Sequence, residues 1–161
     1  TTMDGDTCGG LSPIAGIDKA FLRTWLTWLE TTGPHGHGPL LQLACVTKQL
    51  STPELRPSEA DQHSEDDLMP FHLLDRIERL GIRDKLPPKT ILAHLLAEFP
   101  PYNEQQTRTW VKRFFSLWCC NQWKRERFAP AFHVDDENLD PKTWCRFPIL
   151  SGGFQRELAE M

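Results

Sequence analysis

Apolar residues recur at helical spacing in several stretches of this chain, and glycine-rich or polar stretches separate them. The first helix is predicted to start at Asp18, because aspartate caps helix N-termini. Its apolar residues follow the period of one helix face and are Phe21, Trp25, Trp28 and Leu29. The stretch TTGPHGHGP ends this helix, and the apolar residues from Leu40 to Val46 predict another, shorter one.

Stronger helical patterns follow after residue 70. One apolar face is formed by Phe71, Leu74, Ile77 and Leu80, and Gly81 is predicted to end that helix at its C-cap. Pro87 and Pro88 suit a first helical turn, where proline is tolerated. The apolar stripe of the helix that follows consists of Ile91, Leu92, Leu95, Leu96 and Phe99.

The strongest helical pattern comes after PPYNEQQ, with an apolar stripe formed by Trp110, Val111, Phe114, Phe115, Leu117 and Trp118. A last helix is predicted with Ser151 as its cap and with Phe154, Leu158 and Met161 on one side. No stretch alternates convincingly between apolar and polar residues, as a half-buried strand would. We therefore predict a mostly α structure with long ordered loops.

Two stretches are predicted to be loops. Residues 1–17 are glycine-rich and lack periodicity. Residues 51–70 hold six acidic residues between Glu54 and Asp67 against one basic residue, Arg56, and composition alone favours a solvated loop. The chain is thus interpreted as a single domain, residues 1–161, with these loops and a helical tail over 71–161.

Length and composition are those of one globular domain. The 161 residues are 39% apolar and 25% charged, and the net charge of −4 argues against general nucleic-acid binding. No apolar run approaches the roughly 20 residues that a membrane-spanning helix needs. The five cysteines lack the paired spacing of a zinc site, so we expect reduced thiols, a cytoplasmic location and no bound metal.

The stretch SGGFQRE, residues 151–157, looks like a pyrophosphate-binding loop. Such a loop presents glycine N–H groups to phosphate between a strand and a helix. Here Gln155 and Arg156 replace the Asp-Ser that would complete an SGGxDS pattern, and only about two helical turns can follow. We therefore interpret the stretch as the beginning of a helix.

One single lysine and one group of basic residues suit phosphate binding. Lys19 lies in the first turn of the first predicted helix, where the helix dipole favours anions, so it can partner a bound phosphate. The group lies between residues 101 and 130, which contain two acidic residues, Glu104 and Glu126, and six basic ones: Arg108, Lys112, Arg113, Lys124, Arg125 and Arg127. Charge alone still favours a solvated surface for both the lysine and the group.

A series of motifs resembles the glutamine-dependent NAD synthetases. The motifs, in chain order, are GDTCGGLSPIAGIDK, TPELRP, SEDDLMPFHLLD, VKRFFS and NQWKRERFAPAFH. No single motif is highly specific, but their order is, and the resemblance runs through essentially the whole chain. It implies the C-terminal part of the synthetase domain, downstream of that family's SGGxDS loop and magnesium carboxylates.

This resemblance also implies a fold and a reaction. The family's domain is an α/β, adenine-nucleotide α-hydrolase-like (Rossmann-like) fold, and this chain would be its helical C-terminal fragment. The family uses ATP and Mg²⁺ to adenylate deamido-NAD, and ammonia from a glutaminase domain then gives NAD and AMP. A homo-oligomer is implied for the full-length enzyme, and the isolated fragment is expected to be inactive and to contain no catalytic residue.

Roles in ATP binding carry over to two residues. The family's lysine after its proline-containing loop falls on Lys19, and the threonine of its P-T-x-E/D-L segment falls on Thr52. Both are implied to contact ATP. The acidic stretch that follows matches a family loop that closes over the active site, which implies a lid over residues 51–70.

Roles in deamido-NAD binding carry over near both ends of the chain. The family's basic pair before its last proline segment falls on Trp123 and Lys124, which are implied to contact deamido-NAD. An aspartate that binds this substrate in the small form of the family falls on Gly10. That contact is therefore either lost here or moved to Asp6.

Two other functions stay open. The chain contains six tryptophans, and aromatic stripes suit a stand-alone helical interaction module, although such stripes at helical spacing are more often core. An ATP-binding protein built on Gly152 and Gly153 is the other alternative. The chain begins Thr-Thr-Met-Asp without an obvious domain start, which favours a piece of a longer ligase.

Overall fold

The computed structural model describes residues 10–49, 64–125, 129–134, 139–140, 142 and 144–161. These residues are mostly helical, as predicted, and they divide into two compact units. One unit is Ile17–Asp75, and the other combines Arg76–Met161 with the described part of Thr1–Gly16. Across the described ranges, no helix is both long enough and apolar enough to cross a membrane.

The unit Ile17–Asp75 opens with helix α1, Lys19–Thr31, and Asp18 occupies its N-cap position as predicted. Gly33 terminates this helix with φ at +71°. A Cβ at this position would lie 1.7 Å from the carbonyl oxygen of Gly38, so the turn accepts glycine alone.

The rest of this unit is built from short helical segments. A 3₁₀ turn, Leu41–Leu43, runs into α2, Ala44–Thr47, where the sequence predicts one helix. The Thr47 hydroxyl donates a hydrogen bond to Glu30 Oε2 and so ties α2 to α1. Helix α3, Ser64–Asp67, is followed by the start of α4, Phe71–Glu78.

The aromatic stripe of α1 does not form a core in the structure. No residue of α1 is buried, and Phe21, Trp25 and Trp28 are 58%, 41% and 41% exposed. The helix is amphipathic, as its sequence pattern indicates, but its apolar face is open to solvent within the described residues. The common expectation that such a stripe is core is therefore wrong for α1.

The core of the other unit lies between two helices, α5 (Pro88–Glu98) and α6 (Glu104–Cys120). Pro88 occupies the first turn of α5, as predicted, with Pro87 as the N-cap. Asn103 caps α6 through a capping box with Gln106, in which each side chain bonds the other residue's backbone N–H. The apolar side chains buried here are Ile91, Leu92, Leu95, Val111, Phe114 and Phe115.

Gly81 does not cap α4. The helix continues past Glu78 into a π-helical segment, Arg79–Arg83, with Gly81 at its centre. A Cβ on Gly81 would lie 3.0 Å from Phe115 Cζ and 3.3 Å from Ile91 Cδ1. Close backbone approach to the core, and not helix termination, is the reason for glycine at this position.

Two short strands contradict the prediction that the chain has none and that residues 1–17 are a loop. Strand β1, Ser12–Ala15, pairs in parallel with β2, Ala131–His133. The register places Ser12 opposite Ala131 and Ala15 opposite His133, with an irregularity between them.

The C-terminal segment packs on the α5–α6 core through aromatic rings. The Phe154 ring lies 4.6 Å from that of Phe115, and the Phe147 ring lies 5.7 Å from that of Trp118, measured between centroids. The last helix, α8, is only Gln155–Ala159, and Phe154 occupies its N-cap. Ser151 does not cap it as predicted, because its hydroxyl accepts the N–H of Gly153 and contacts Cys119 Sγ.

We predict that Gly81→Ala lowers the free energy of unfolding by about 1 kcal/mol. The new methyl must displace the Phe115 ring, an overpacking cost of about 1–3 kcal/mol that the better helix propensity of alanine offsets only partly. The matched control is Gly152→Ala, because a Cβ on Gly152 meets nothing within 4 Å. Urea denaturation of both variants measures this, and equal midpoints would contradict the packing argument.

A second prediction concerns the bidentate ion pair between Arg76 and Glu98. Arg76 Nε lies 2.7 Å from Glu98 Oε2, and Nη2 lies 2.5 Å from Oε1. Hydrogen bonding to Arg76 lowers the pKa of Glu98 below its ordinary 4.5. The pKa of Glu98 is lower in the folded state than in the unfolded state. The ion pair therefore stabilises the fold at every pH above the unfolded-state pKa, and this stabilisation is lost as the pH falls through the folded-state pKa.

Glu98→Gln is therefore expected to lower the free energy of unfolding by about 0.5 kcal/mol at pH 7, the size of a half-exposed ion pair. The difference from the parent chain should vanish in acid, at a pH below the lowered pKa of Glu98. Denaturant titrations across this pH range measure the effect. Glu157→Gln, in exposed helix α8, is the control, and a difference that persists unchanged in acid would refute the assignment.

Candidate functional site

Lys19 is the first residue of α1, and its ammonium group lies over an aromatic ring. The Nζ atom is 4.8 Å from the centroid of Phe71, and the Lys19 side chain is exposed whereas Phe71 is 4% exposed. The first turn of α1 contains no acidic residue. The positive end of the helix dipole and the lysine charge therefore add at one place, beside the N-cap Asp18, and this combination suits an anion.

Phe71 also joins this place to the end of the acidic stretch. Its backbone N–H donates to Glu65 Oε1 at 2.8 Å, and Glu65 Oε2 lies 3.5 Å from Arg23 Nη1. Residues 64–67 of the predicted lid are helix α3 in the structure and not a loop. Residues 51–63 of that stretch lie outside the described residues.

Trp123 and Lys124 are adjacent on α7, Gln122–Arg125, in the other unit. Both side chains are exposed, and Lys124 Nζ lies 5.7 Å from the centroid of the Trp123 ring. An exposed indole beside an ammonium group presents a flat apolar surface and a positive charge together. Such a pair can stack on a planar base and neutralise a phosphate or carboxylate.

The neighbouring residues of α7 face the opposite way. Gln122 is 2% exposed, and the Arg125 guanidinium lies over the Trp118 ring at 4.7 Å. Arg108 forms an exposed ion pair with Glu104, so Arg108 and Arg125 both bind other residues of this chain. The sequence contains no signal that separates Arg125 from Lys124, because both lie in one basic run.

Three other residues that the resemblance singles out have different outcomes. Thr52 and Asp6 lie outside the described residues, so their predicted contacts stay predictions. Gly10 is exposed, with open space where a side chain would be.

The SGGFQRE stretch does not have the surroundings of a phosphate loop. No strand precedes it among residues 144–150, and α8 is five residues long. The Ser151 hydroxyl accepts the Gly153 N–H and contacts Cys119 of α6, so it is already engaged. The interpretation of this stretch as the beginning of a short helix agrees with the structure, although the helix starts later than predicted.

An open groove of about 450 Å³ runs along α1 and is lined by Arg23, Thr24, Thr27, Trp28 and Thr31. The threonine hydroxyls donate to backbone carbonyls one turn earlier, so they are already engaged. No group of three metal-ligating side chains occurs in the described part of the chain.

Comparison with known proteins finds glutamine-dependent NAD(+) synthetases. The chain is 28% identical over 151 residues to the enzyme from Xanthomonas campestris pv. campestris and 27% identical over 155 residues to that from Aquifex aeolicus. These matches cover 94% and 96% of this chain and 24% of each relative. No protein-family model matches the chain.

Among solved structures, a glutamine-dependent NAD(+) synthetase from Cytophaga hutchinsonii is similar, with 46% identity and a TM-score of 0.74. The match covers 99% of this chain and 23% of that one. The resemblance predicted from the motif order is thereby confirmed. The chain spans about a quarter of the length of these relatives.

Proposed function

We propose that this chain is the C-terminal, substrate-binding part of the synthetase domain of a glutamine-dependent NAD synthetase. The whole enzyme would be a ligase that adenylates deamido-NAD with ATP and amidates it with glutamine-derived ammonia. The observation that carries the proposal is the 46% identity to a solved NAD(+) synthetase over 99% of this chain.

The parallel pairing of β1 and β2 supports a larger α/β parent domain. Parallel sheets occur almost only with both faces covered by other elements. Here Ile14 and Phe132 are 47% and 64% exposed on the two strands. We therefore expect this strand pair to continue into a larger, covered sheet supplied by a Rossmann-like synthetase domain.

Lys19 is proposed to bind the phosphates of ATP. When a carboxylate is adenylated, pyrophosphate leaves and negative charge builds on it. A fixed cation at a helix N-terminus stabilises that charge as it develops. Phe71 keeps the ammonium group in place through its ring. Thr52 is proposed as a second ATP contact, and Mg²⁺ is expected to accompany ATP in the whole enzyme.

Trp123 and Lys124 are proposed to bind deamido-NAD. This substrate has planar bases, a pyrophosphate and a nicotinate carboxylate, and α7 presents a flat indole beside a cation. Asp6 is proposed to replace the aspartate contact that is lost at Gly10.

None of these residues is proposed to make or break a bond. They supply binding energy and charge neutralisation, while ammonia from a glutaminase domain performs the attack. We expect the whole enzyme to be a cytoplasmic homo-oligomer and the isolated 161-residue chain to be inactive.

An interaction module is the second candidate function, and the exposed face of α1 favours it. Phe21, Trp25 and Trp28 are each more than 40% exposed on one helix face. Exposed aromatic clusters of this kind mark protein interfaces. In that case the full-length gene product would bind a protein and would form no NAD.

We predict that Lys124→Ala in the full-length gene product raises the KM for deamido-NAD about tenfold or more and leaves the KM for ATP within about twofold. Removing a charged partner of a bound anion costs about 1.5–3 kcal/mol. Lys19→Ala should show the reverse pattern, with the larger rise in the KM for ATP. Initial rates of NAD formation measure both.

The controls are Lys89→Ala and Lys48→Ala, two exposed lysines in the respective units. Both should behave like the parent enzyme. No NAD formation by the unsubstituted gene product would reject the ligase and favour the interaction module. Unchanged KM values in Lys19→Ala and Lys124→Ala would reject the site assignment alone.

A further inference from the structure

Helix α7 is too short to hold its own shape. It has four residues, Gln122–Arg125, whereas isolated helices below roughly 12 residues are marginal in water. Two of its residues, Trp123 and Lys124, are exposed. The orientation of these exposed side chains therefore depends on what holds Gln122 and Arg125, which lie three positions apart on the other face.

Arg125 is held by four hydrogen bonds and one ring contact on that inner face. Its Nε and Nη2 donate to the carbonyl oxygen of Leu139 at 3.0 and 2.7 Å, and Nη2 also donates to the carbonyl oxygen of Cys145. Its Nη1 donates to Gln122 Oε1 at 2.5 Å. The guanidinium plane also covers the Trp118 ring, which belongs to α6.

Gln122 completes the attachment of α7 to α6. Its side chain is 2% exposed, and its Nε2 donates to the Trp118 carbonyl oxygen at 2.7 Å. Its Oε1 is the acceptor for Arg125. The two inner residues of α7 thus bind each other and the C-terminal turn of α6.

The segment that receives Arg125 is itself fixed. Asp140 is 7% exposed, and its carboxylate binds His133 Nε2 at 3.1 Å and the Lys142 N–H at 2.8 Å. The N–H of Cys145 donates to the Asp140 carbonyl oxygen at 3.2 Å, and Cys145 is 8% exposed. The two carbonyl oxygens that Arg125 binds, on Leu139 and Cys145, therefore lie beside a buried aspartate that contacts both β2 and the Cys145 backbone.

We infer that Arg125 is a positioning residue for deamido-NAD binding: it ties α7 to the backbone of Leu139 and Cys145 and so fixes the direction in which Trp123 and Lys124 point. This inference rests on the proposed function of those two residues. Arg125 itself does not touch the substrate in this arrangement, because its guanidinium is engaged on the inner face.

The planar geometry of the Arg125 guanidinium matters more for holding α7 than its charge does. The amide oxygens of Leu139, Gln122 and Cys145 accept hydrogen bonds from three different nitrogens of the Arg125 guanidinium. A guanidinium offers five N–H donors in a fixed plane and stacks on an aromatic ring, whereas an ammonium group is a point charge on a flexible stem. Lysine at position 125 would keep the charge and lose the tether.

The test is made in the full-length gene product with Arg125→Lys. We expect the KM for deamido-NAD to rise about tenfold, which corresponds to the loss of one net charge-assisted hydrogen bond, while the KM for ATP and kcat stay within about twofold. Gln122→Met, which removes one partner of Arg125, should raise the same KM about threefold. Arg156→Lys, in the exposed ion pair with Glu160, is the matched control and should change neither KM.

A positioning role predicts two further results that a purely stabilising one does not. Added guanidinium ion should lower the KM for deamido-NAD of Arg125→Ala by refilling the vacated site. Hydrogen exchange of the backbone N–H of Cys145 should speed up in Arg125→Lys, since the backbone at Cys145 loses its contact with the guanidinium, while exchange in α5 stays unchanged. If Arg125→Ala does not fold, the comparison of Arg125→Lys with Gln122→Met decides.

The outcomes separate the two proposals. No NAD formation by the parent gene product overturns the proposed function and this inference with it. NAD formation with an unchanged KM for deamido-NAD in Arg125→Lys and Gln122→Met overturns this inference alone. A fall in kcat together with an equal rise in the KM values for both substrates, without rescue by guanidinium, also overturns it. Arg125 would then only stabilise the fold.

Discussion

The ring of Phe115 is the interaction on which the larger unit depends. It is 1% exposed, and it meets the backbone of the π-helical segment at Gly81, the Phe114 ring at 5.3 Å and the Phe154 ring at 4.6 Å. One side chain therefore joins α6 to the end of α4 and to the C-terminal segment. A fully buried phenylalanine of this kind stabilises a fold by about 3–5 kcal/mol relative to alanine, a large part of the total for a small domain.

Helix α6 also connects this packed core to the proposed substrate contacts on α7. Trp118, one turn beyond Phe115, stacks on Phe114 and supports Phe147 and the Arg125 guanidinium. Gln122 then bonds the last turn of α6. The position of α7 is thus a consequence of core packing in α6, and its exposed pair of Trp123 and Lys124 needs no rigidity of its own.

Local patterns predict those parts of the fold that local interactions determine. The limits of α5 and α6 follow from prolines, a capping box and an apolar period, all of which act within a few residues. The strand pair was missed because β1 and β2 are each three or four residues long and far apart in sequence, so no alternating pattern develops. Gly81 was misread for a similar reason, since Phe115 and Ile91 require a glycine there and both lie far along the chain.

The candidate site is predicted from the order of motifs and not from periodicity or charge. Charge places Lys124 and Arg125 in one basic run, but the structure gives their side chains different surroundings, one exposed and one turned inward. The partners of Arg125 cannot be predicted from the sequence, because every residue has a backbone carbonyl oxygen. Only the folded path of the chain brings those of Leu139 and Cys145 to Arg125.

This difference bears on how the proposed ligase would use the segment. Groups that bind distant parts of a substrate raise the rate only when they hold the reacting end in the productive geometry. A residue such as Lys124 can supply that energy only if its direction is fixed before the substrate binds, since ordering a free lysine side chain would consume up to about 2 kcal/mol of the contact. The contribution of this segment would then depend on the inward-facing Gln122 and Arg125 as much as on the two residues that meet the substrate.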